Sequence, residues 1–309
     1  MHKTVKHNKN LQDISGPVVI GGVGGSGTRV IAEILRELNF FIGNDLNGPL
    51  DNLTYTFLFK RKKWYYKNYN KKKKILRGLG ILKKTMTSSG SLSLSEYTFL
   101  FQAVLSMSLY GHYKNRGKGI WPILRLKKMF NSTANNLSSY SGWGWKEPNS
   151  HLLLEYMNEF FPDIKYIHAI RNGLDMAYSR NHRQLYHWGP LFGINPRDNQ
   201  CEIPELSFRY WVEANSHVMD IGKKMDSDKF LLLNFDRLCK NPKEGIIQLL
   251  AFLDINPDSK TMTRILSLPK VISSIGRYRN KDLSWVKESD ISFLLSMGFT
   301  VDLPKRNNS

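Results

Sequence analysis

A glycine-rich stretch near the N-terminus has the residue types of an anion-binding loop. A short β-branched run that starts at Val18 leads into a cluster of glycines, and apolar residues then recur at helical spacing from Val30. Glycines let backbone N–H groups approach an anion closely, and a helix N-terminus adds about half a positive charge. We therefore predict a strand, a phosphate-binding turn and a helix. The candidate binding residues are Gly24, Gly25, Ser26, Gly27, Thr28 and Arg29.

The loop departs from the common nucleotide-binding pattern G-x-x-x-x-G-K-[ST]. Gly22 and Gly27 have the spacing of its two glycines, but Thr28 and Arg29 follow where the pattern has Lys and then Ser or Thr. The Lys that reaches the phosphates and the hydroxyl that binds Mg²⁺ are both missing. A surface turn without a ligand is one interpretation. The other, which the pattern favours, is a phosphate-binding loop that works without the usual Mg²⁺ site.

Cations and a hydroxyl that could complete such a site occur later in the chain. They are Lys146, Arg171, Ser179, Arg277 and Arg279. Arg171 directly follows the apolar run Ile164–Ile170, a predicted strand, and Lys146 lies in a Lys-Glu-Pro sequence that predicts a turn. The structural alternative for Arg171 is an ion pair with a nearby carboxylate. For Lys146 the alternative is an exposed position in the turn.

The elements that must position these residues alternate between strands and helices. Apolar runs predict further strands over Ile164–Ile170 and Lys229–Phe235, each followed by a helix. This order predicts an α/β fold in a single domain, with a central parallel sheet flanked by helices. Two helices, over about Glu96–His112 and Ile120–Asn131, interrupt the order and are predicted to form a cap.

The predicted domain covers residues 17–300 and contains a basic and helical insertion over about 55–140. A polar lead-in over residues 1–16 precedes it, and a short tail over residues 301–309 follows it. With 309 residues, of which 41% are hydrophobic, the chain is long enough to bury a large core.

The net charge of +19 is concentrated in one segment. Lys60–Lys84 carries 12 Lys and Arg and no acidic residue, which leaves +7 for the remainder of the chain. Such a segment predicts a surface arm that could meet an anionic partner. Its interleaved aromatic residues could stack on bases, but no recognisable nucleic-acid module surrounds them. We favour a solvated helix whose aromatic rings pack inward, and we expect no specific nucleic-acid partner.

Composition also bears on the compartment. No apolar run approaches the roughly 20 residues of a membrane-spanning helix. The basic N-terminus leads into no apolar signal core, and Cys201 and Cys239 are too few for a disulfide framework. These features predict a cytoplasmic protein.

Taken in chain order, the motifs resemble the sulfotransferase family, whose donor is 3′-phosphoadenosine 5′-phosphosulfate (PAPS). The likeness extends from about Pro17 to Trp285. Four segments carry it: the loop Gly24–Arg29, the Arg and Ser eight apart in Arg171–Ser179, the strand and turn in Phe230–Cys239 with the following Asn-Pro, and the Lys-x-Pro sequence in Trp143–Pro148. A fifth, Ser273–Arg279, is only loosely similar to the family's late glycine and basic motif. The resemblance implies a P-loop-like sulfotransferase fold.

The resemblance also implies a reaction, the in-line transfer of a sulfuryl group from PAPS to an acceptor without a metal. Ser26, Gly27 and Thr28 would hold the 5′ end of the donor. Arg171 and Ser179 would hold its 3′-phosphate, with Arg277 and Arg279 as helpers. Arg29 and Lys146 would stabilise charge around the transferring group. Many members have Lys or Arg where this chain has Gly25, and here the cation follows the loop core as Arg29.

An acceptor hydroxyl or amine needs a base. Asp51 is the first candidate, because its loop is expected near the strand ends, and Glu147 and His151 compete with it. The acceptor stays open between a glycan, a lipid and a small molecule, as does the oligomeric state. Two other functions also stay open: a P-loop kinase or phosphotransferase that uses ATP, and a basic polyanion-binding protein.

Overall fold

The computed structural model describes residues 16–112, 116–131, 137–198 and 200–301. The predicted lead-in before Gly16 and the predicted tail after Val301 lie outside these residues. The strands are β1 Val18–Gly22, β2 Phe40–Phe41, β3 Gly142–Lys146, β4 Lys165–Ile170 and β5 Phe230–Asn234. The helices up to β3 are α1 Thr28–Glu37, α2 Leu53–Phe59, α3 Lys62–Asn68, α4 Lys72–Thr87, α5 Leu94–Tyr110 and α6 Trp121–Asn131. The later helices are α7 Leu154–Phe160, α8 Gly173–Ala177, α9 Arg183–Trp188, α10 Ile203–Gly222, α11 Phe235–Lys240, α12 Pro242–Leu253, α13 Ser259–Leu266 and α14 Glu288–Ser296.

The strands form one five-stranded parallel sheet in the order β2-β3-β1-β4-β5, which confirms the predicted α/β class. The neighbouring strands β1 and β4 are short, mostly apolar runs buried on both faces, as parallel sheets covered by helices require, whereas the edge strand β5 alternates between buried and half-buried residues. In the β4–β5 pair, Tyr166 lies opposite Phe230, and Ile170 lies opposite Asn234. Because the two strands are parallel and in this register, the residues that follow them emerge at the same edge of the sheet.

One strand differs from the sequence prediction. The segment around Lys146 was expected to be a turn, but Gly142–Lys146 is β3, and Lys146 is its last residue and only 2% exposed. The exposed-turn alternative for Lys146 is therefore wrong. Glycine in the strand obscured the pattern, because β propensity is low for glycine. A Cβ at Gly144 would lie 1.8 Å from the carbonyl oxygen of Val18, so the close approach of the backbones requires glycine there.

The helix after β4 also differs from expectation. The helix predicted to follow Ile164–Ile170 is the short α8, which ends at Ala177, and Ser179 lies in the turn beyond it. The interrupting helices are present as predicted, as α5 and α6. A capping box stabilises the start of α5: the Ser93 hydroxyl accepts from the Glu96 N–H, and the Glu96 carboxylate accepts from the Ser93 N–H.

The chain divides into two compact units, each with its own packing. Among the described residues, the first unit contains 16–19, Leu35–Lys146 and Tyr156–Lys165. The second unit contains Ile20–Ile34, Glu147–Glu155 and 166–301. In the first unit Trp145 packs against Tyr55 and Phe161. In the second unit Trp211 stacks on Phe208, with ring centroids 5.8 Å apart. The single domain stays a prediction.

Candidate functional site

The glycine-rich turn of the second unit links the end of β1 to the start of α1. The Ser26 N–H donates to the Val23 carbonyl at 3.1 Å, and the Ser26 hydroxyl donates to the same oxygen. Gly27 has a φ of +81°, and a Cβ there would lie 2.0 Å from the ring of Phe235. Only glycine accepts this conformation and this contact without strain. The turn is therefore fixed by its sequence, as the glycine spacing predicted.

The turn leaves several polar groups available to a ligand. Within the described part of the chain, the N–H groups of Gly25, Gly27 and Thr28 donate to no other group. These amides stand at the N-terminus of α1, a helix of 10 residues, where the first N–H groups have no intrahelical acceptor. The side chains of Ser26 and Thr28 are buried, whereas Arg29 is exposed. The turn has the donors that an anion needs.

A partly buried hydrogen-bond network holds Gly24 of the turn. The Gly24 N–H donates to Gln184 Oε1 at 2.6 Å, and Gln184 Nε2 donates to Asn149 Oδ1 at 2.7 Å. Asn149 in turn donates from its backbone N–H and its Nδ2 to the two carboxylate oxygens of Glu147, at 2.7 and 2.9 Å. Local sequence patterns do not reveal Gln184 and Asn149, because only tertiary contact connects residues so far apart in the chain. Their polar groups fix the position of Gly24 in the turn.

Arg171 is the first residue after β4, and its side chain is only 10% exposed. Its Nη2 donates to Ser274 Oγ at 2.7 Å, while its Nε lies 3.7 Å from Asp236 Oδ1, too far for a hydrogen bond. Burial lowers the pKa of Arg171, and the charges of Asp236 and Asp175 oppose that shift. Nε finds no hydrogen-bond acceptor among the described residues. A buried cation with spare donor capacity is thus present at the sheet edge.

The alternative interpretation of Arg171, an ion pair with a nearby carboxylate, is only partly correct. Asp236 follows β5, so the register of β4 and β5 explains why it lies beside Arg171. One Asp236 oxygen accepts from the Asn172 N–H at 3.1 Å, and the other has no hydrogen-bond partner among the described residues. Burial raises the pKa of Asp236. The pair is loose, and neither partner completes the hydrogen bonds of the other.

Phe235 connects Arg171 to the glycine-rich turn. Its ring contacts the backbone at Gly27, and the Arg171 guanidinium carbon lies 5.9 Å from the centroid of the same ring. The sequence analysis did not single out Phe235, since an apolar residue at a strand end predicts packing and no more. In the second unit, the glycine-rich turn and the Arg171 guanidinium therefore both lie next to the Phe235 ring.

A late loop completes the surroundings of Arg171. Asp175 accepts from the N–H groups of Gly276 and Tyr278, at 2.7 and 3.2 Å, and so anchors the segment that carries Ser274. Arg277 lies close enough to lower the pKa of Arg171 through like charge, and it donates to the Tyr178 carbonyl at 3.4 Å. The loosely similar segment Ser273–Arg279 is therefore brought to Arg171.

Two other predicted binding residues are less buried than Arg171. Ser179 is half-buried, and its hydroxyl accepts from the Asn181 N–H at 2.9 Å. Arg279 is exposed in the short helical turn Arg277–Asn280. Their roles toward a ligand stay predictions.

The first unit brings together Lys146 and Asp51, which the sequence analysis named separately. Lys146 Nζ donates to an Asp51 carboxylate oxygen and, at 3.0 Å, to the Pro49 carbonyl. Asn47 Nδ2 donates to the other Asp51 oxygen at 2.9 Å. Burial raises the pKa of Asp51, but the charge and hydrogen bond of Lys146, together with the hydrogen bond of Asn47, hold that pKa below its usual range. Asp51 is therefore ionised at neutral pH.

The two competing bases are fully buried in the second unit. Glu147 binds Asn149 through both oxygens, as described above. His151 Nδ1 lies 2.9 Å from the Pro148 carbonyl, and burial lowers the pKa of His151 to about 3. A buried neutral imidazole with this environment packs the interior. Of the three candidates Asp51 is the one that is partly exposed, and its role as a base stays a prediction.

Within residues 16–112, 116–131, 137–198 and 200–301, no group of three or more His, Cys, Asp or Glu side chains is arranged to hold a metal ion. In the same ranges no helix is long and apolar enough to cross a bilayer.

Three features define the class of protein. They are a parallel sheet in an α/β fold, a glycine-rich turn with donors for an anion after its first strand, and a buried arginine after β4. Comparison with known families agrees, since a sequence profile described as the sulfotransferase family matches residues 17–259. The chain belongs to the sulfotransferase family.

Individual relatives are more distant. Sulfotransferase 1B1 of Mus musculus is 27% identical over 126 residues, which are 38% of this chain and 40% of that protein. The match thus spans less than half of the curated relative. Among solved structures, the sulfotransferase domain from the curacin biosynthetic pathway has a TM-score of 0.52 and 11% identity, covering 93% of this chain and 99% of that one. The domain from the Synechococcus PCC 7002 olefin synthase has a TM-score of 0.45 and 13% identity, covering 94% and 98%. The likeness of fold rests on the first of these structures.

Proposed function

We propose that this protein is a sulfotransferase that moves a sulfuryl group from PAPS to a hydroxyl or amine of an acceptor, without a metal ion. The observation that carries the proposal is Arg171, a buried cation with an unused Nε, which shares the Phe235 ring with the glycine-rich turn. A donor with an anionic group at each end needs two such sets of hydrogen-bond donors. Membership of the sulfotransferase family supports this choice of donor.

The residues of the second unit have the chemistry to hold this donor. The amides and hydroxyls of Gly24–Thr28 suit the 5′-phosphosulfate, because uncompensated N–H groups at a helix N-terminus favour an anion. Arg171 suits the 3′-phosphate, since its guanidinium retains donor capacity and Arg277 adds positive charge. Ser179 and Arg279 are proposed as further contacts of the 3′-phosphate.

The proposed reaction is an in-line displacement at sulfur. PAPS supplies the sulfuryl group and the leaving nucleotide. The acceptor oxygen or nitrogen forms a new bond to sulfur, the bond from sulfur to the bridging oxygen breaks, and the acceptor proton passes to a base. Negative charge grows on the departing bridging oxygen, and fixed cations and N–H donors stabilise it. Arg29 and Lys146 are the proposed cations, and Asp51 is the proposed base.

The proposal is tested by ligand-induced stabilisation of the full chain. We expect 3′-phosphoadenosine 5′-phosphate to raise the melting temperature, because a ligand at 100 times its Kd adds about 2.7 kcal/mol of stability. ATP with Mg²⁺ is the comparison. A clear shift with Mg-ATP and none with the bisphosphate nucleotide would replace the sulfotransferase proposal with a phosphotransferase. Incubation with PAPS and a panel of hydroxyl acceptors then measures transfer directly.

A further inference from the structure

Helices α5 and α6 of the first unit expose an unusual amount of apolar surface. Exposed apolar residues recur every three or four positions along one side of α5, at Leu94, Tyr97, Phe101, Leu105 and Leu109, and so form a stripe. We call this surface the α5–α6 face and define it by Leu94, Phe101, Leu105 and Leu109 on α5 and Ile123 and Leu124 on α6. These side chains are between 44% and 85% exposed. Helix α5 is thus apolar on the side that faces the core and also on the side that faces solvent. Its solvent-facing side is the kind of apolar surface that a binding partner covers.

The two helices contribute to a single surface. The exposed rings of Tyr97 on α5 and Phe130 on α6 stack across the helix pair, with centroids 6.4 Å apart. The stripes on the two helices are therefore adjacent. Single exposed apolar residues are normal on a protein surface, but a contiguous set on two packed helices indicates a docking surface.

Exposed lysines lie on and beside the helices that form this face. Lys63 on α3 lies over the exposed ring of Tyr110 at the end of α5, with its Nζ 3.8 Å from the ring centroid. Lys118, just before α6, and Lys127 on α6 are exposed. Residues 52–146 contain 19 Lys and Arg and one acidic residue, Glu96, which is buried and paired with Lys84. Nearly all of the net charge of the chain thus belongs to the segment that carries the apolar stripe.

We propose that the α5–α6 face docks the protein onto an anionic phospholipid membrane. Apolar side chains that enter the interface between headgroups and acyl chains, with Lys and Arg at the headgroup level, are the two attractions that hold peripheral proteins on a bilayer. A second copy of this chain is a poor occupant, because it would bring the same excess of positive charge against itself. A nucleic acid would use the positive charge but has no need of the aliphatic stripe.

The test is co-sedimentation of the full chain with vesicles, in the absence of any donor nucleotide, so that it is independent of the proposed reaction. We expect binding to vesicles of phosphatidylcholine and phosphatidylglycerol at 3:1, and little binding to pure phosphatidylcholine. Binding should weaken as NaCl is raised from 0.1 to 0.5 M, since salt screens exposed charges. Absence of binding to the anionic vesicles at low salt would overturn the proposal.

Two pairs of variants separate the apolar and electrostatic contributions. F101S/L105S should weaken vesicle binding at least tenfold, because two inserted side chains are lost. Its control, I247S/V271S, replaces two exposed apolar residues of the second unit and should bind like the wild type. K118E/K127E should weaken binding roughly thirtyfold, whereas K243E/K260E, with the same change of net charge in the second unit, should have a much smaller effect.

The outcomes distinguish the other occupants. Binding by F101S/L105S equal to that of the wild type would leave only a general polyanion interaction and overturn membrane docking. A dimer that sedimentation finds without vesicles, and that F101S/L105S dissociates, would assign the face to a second copy. All the substituted residues are exposed, so an unchanged circular dichroism spectrum and a cooperative thermal transition are expected and confirm that the variants are folded.

Discussion

Two buried cations, Arg171 and Lys146, differ in how completely their charges are satisfied. Lys146 donates to Asp51 and to a backbone carbonyl, so its charge is paired with a carboxylate and its ammonium group has two acceptors. Arg171 has one hydroxyl acceptor, a carboxylate beyond hydrogen-bond distance and an Nε without a partner among the described residues. A buried cation that lacks a hydrogen-bond acceptor destabilises the folded protein. A ligand that supplies the missing acceptor removes this destabilisation, so such a cation is typical of a binding site.

Replacing Arg171 tests this interpretation. We expect Arg171→Ala to lower affinity for 3′-phosphoadenosine 5′-phosphate by about 10- to 100-fold, since hydrogen bonds to a charged group are worth roughly 1.5–3 kcal/mol. Affinity for adenosine 5′-phosphate, which lacks the 3′-phosphate, should hardly change. Isothermal titration with both nucleotides measures the ratio. Arg237→Ala is the control, because Arg237 is largely exposed on α11. An equal loss for both nucleotides would contradict a 3′-phosphate contact.

The Lys146–Asp51 pair predicts a dependence of stability on pH. Asp51→Asn leaves Lys146 buried beside a neutral group, so we expect a loss of roughly 3 kcal/mol at pH 7. The pKa of Asp51 is lower in the folded protein than in the unfolded chain, so the stabilisation is present above the unfolded pKa and is lost as the pH falls through the folded pKa. Urea unfolding from pH 3 to pH 7 should therefore show the difference between the wild type and the variant narrowing toward the acidic end. A difference that stays constant over this range would refute the assignment.

At the scale of elements, the register of β4 and β5 builds the surroundings of Arg171. Ile170 lies opposite Asn234, so the next residues, Arg171 on one strand and Phe235 and Asp236 on the other, emerge together. The turn after β1 contacts the same Phe235 ring at Gly27. The parallel sheet thus converts three strand ends that are distant in sequence into neighbours.

Gly27→Ala tests the packing of the turn on α11. A Cβ would meet Phe235 at 2.0 Å and force a side chain into a positive φ, so we expect a loss of at least about 2 kcal/mol in the free energy of unfolding. Gly48→Ala is the control, because nothing lies within 4 Å of a Cβ there. Combining Gly27→Ala with Phe235→Leu should recover part of the loss if the ring causes it. A neutral Gly27→Ala would show that the turn relaxes freely.

The whole molecule distributes its charge unevenly. Residues 52–146 hold 19 of the 45 Lys and Arg but one of the 26 acidic residues, and the rest of the chain is close to neutral. Like charges on one segment repel one another and destabilise the folded state at low ionic strength. The helices of this segment are instead held by packed aromatic residues, such as Trp64 against Phe99.

Salt should therefore stabilise the protein. We expect the melting temperature to rise by roughly a few degrees between 20 and 500 mM NaCl, because screening removes part of the repulsion. The rise should be smaller in K118E/K127E, where two positive charges are reversed, and unchanged in K243E/K260E. Differential scanning calorimetry measures all three proteins. A melting temperature that falls with salt would mean that attractive surface pairs outweigh the repulsion.

The sequence by itself determined the class of fold, the turn and the position of Arg171 directly after a strand. Glycine spacing after a β-branched run is a local pattern, and so is an apolar strand followed by Arg171, because both depend on backbone geometry within a few residues. Family resemblance along the chain was confirmed over residues 17–259. Local patterns also located α5 and α6 within two residues at their ends.

Only the tertiary structure decided which of these residues meet. It made Lys146 the buried end of a strand and paired it with Asp51, and it brought Ser274 to Arg171 across more than a hundred residues. It also showed that α5 has apolar residues on two sides, one buried in the core and one exposed to solvent. Hydrophobic spacing identifies a helix but cannot tell which side the core will cover, since burial depends on every other element. The same reason kept Gln184 and Asn149, which hold the turn, out of reach of any local pattern.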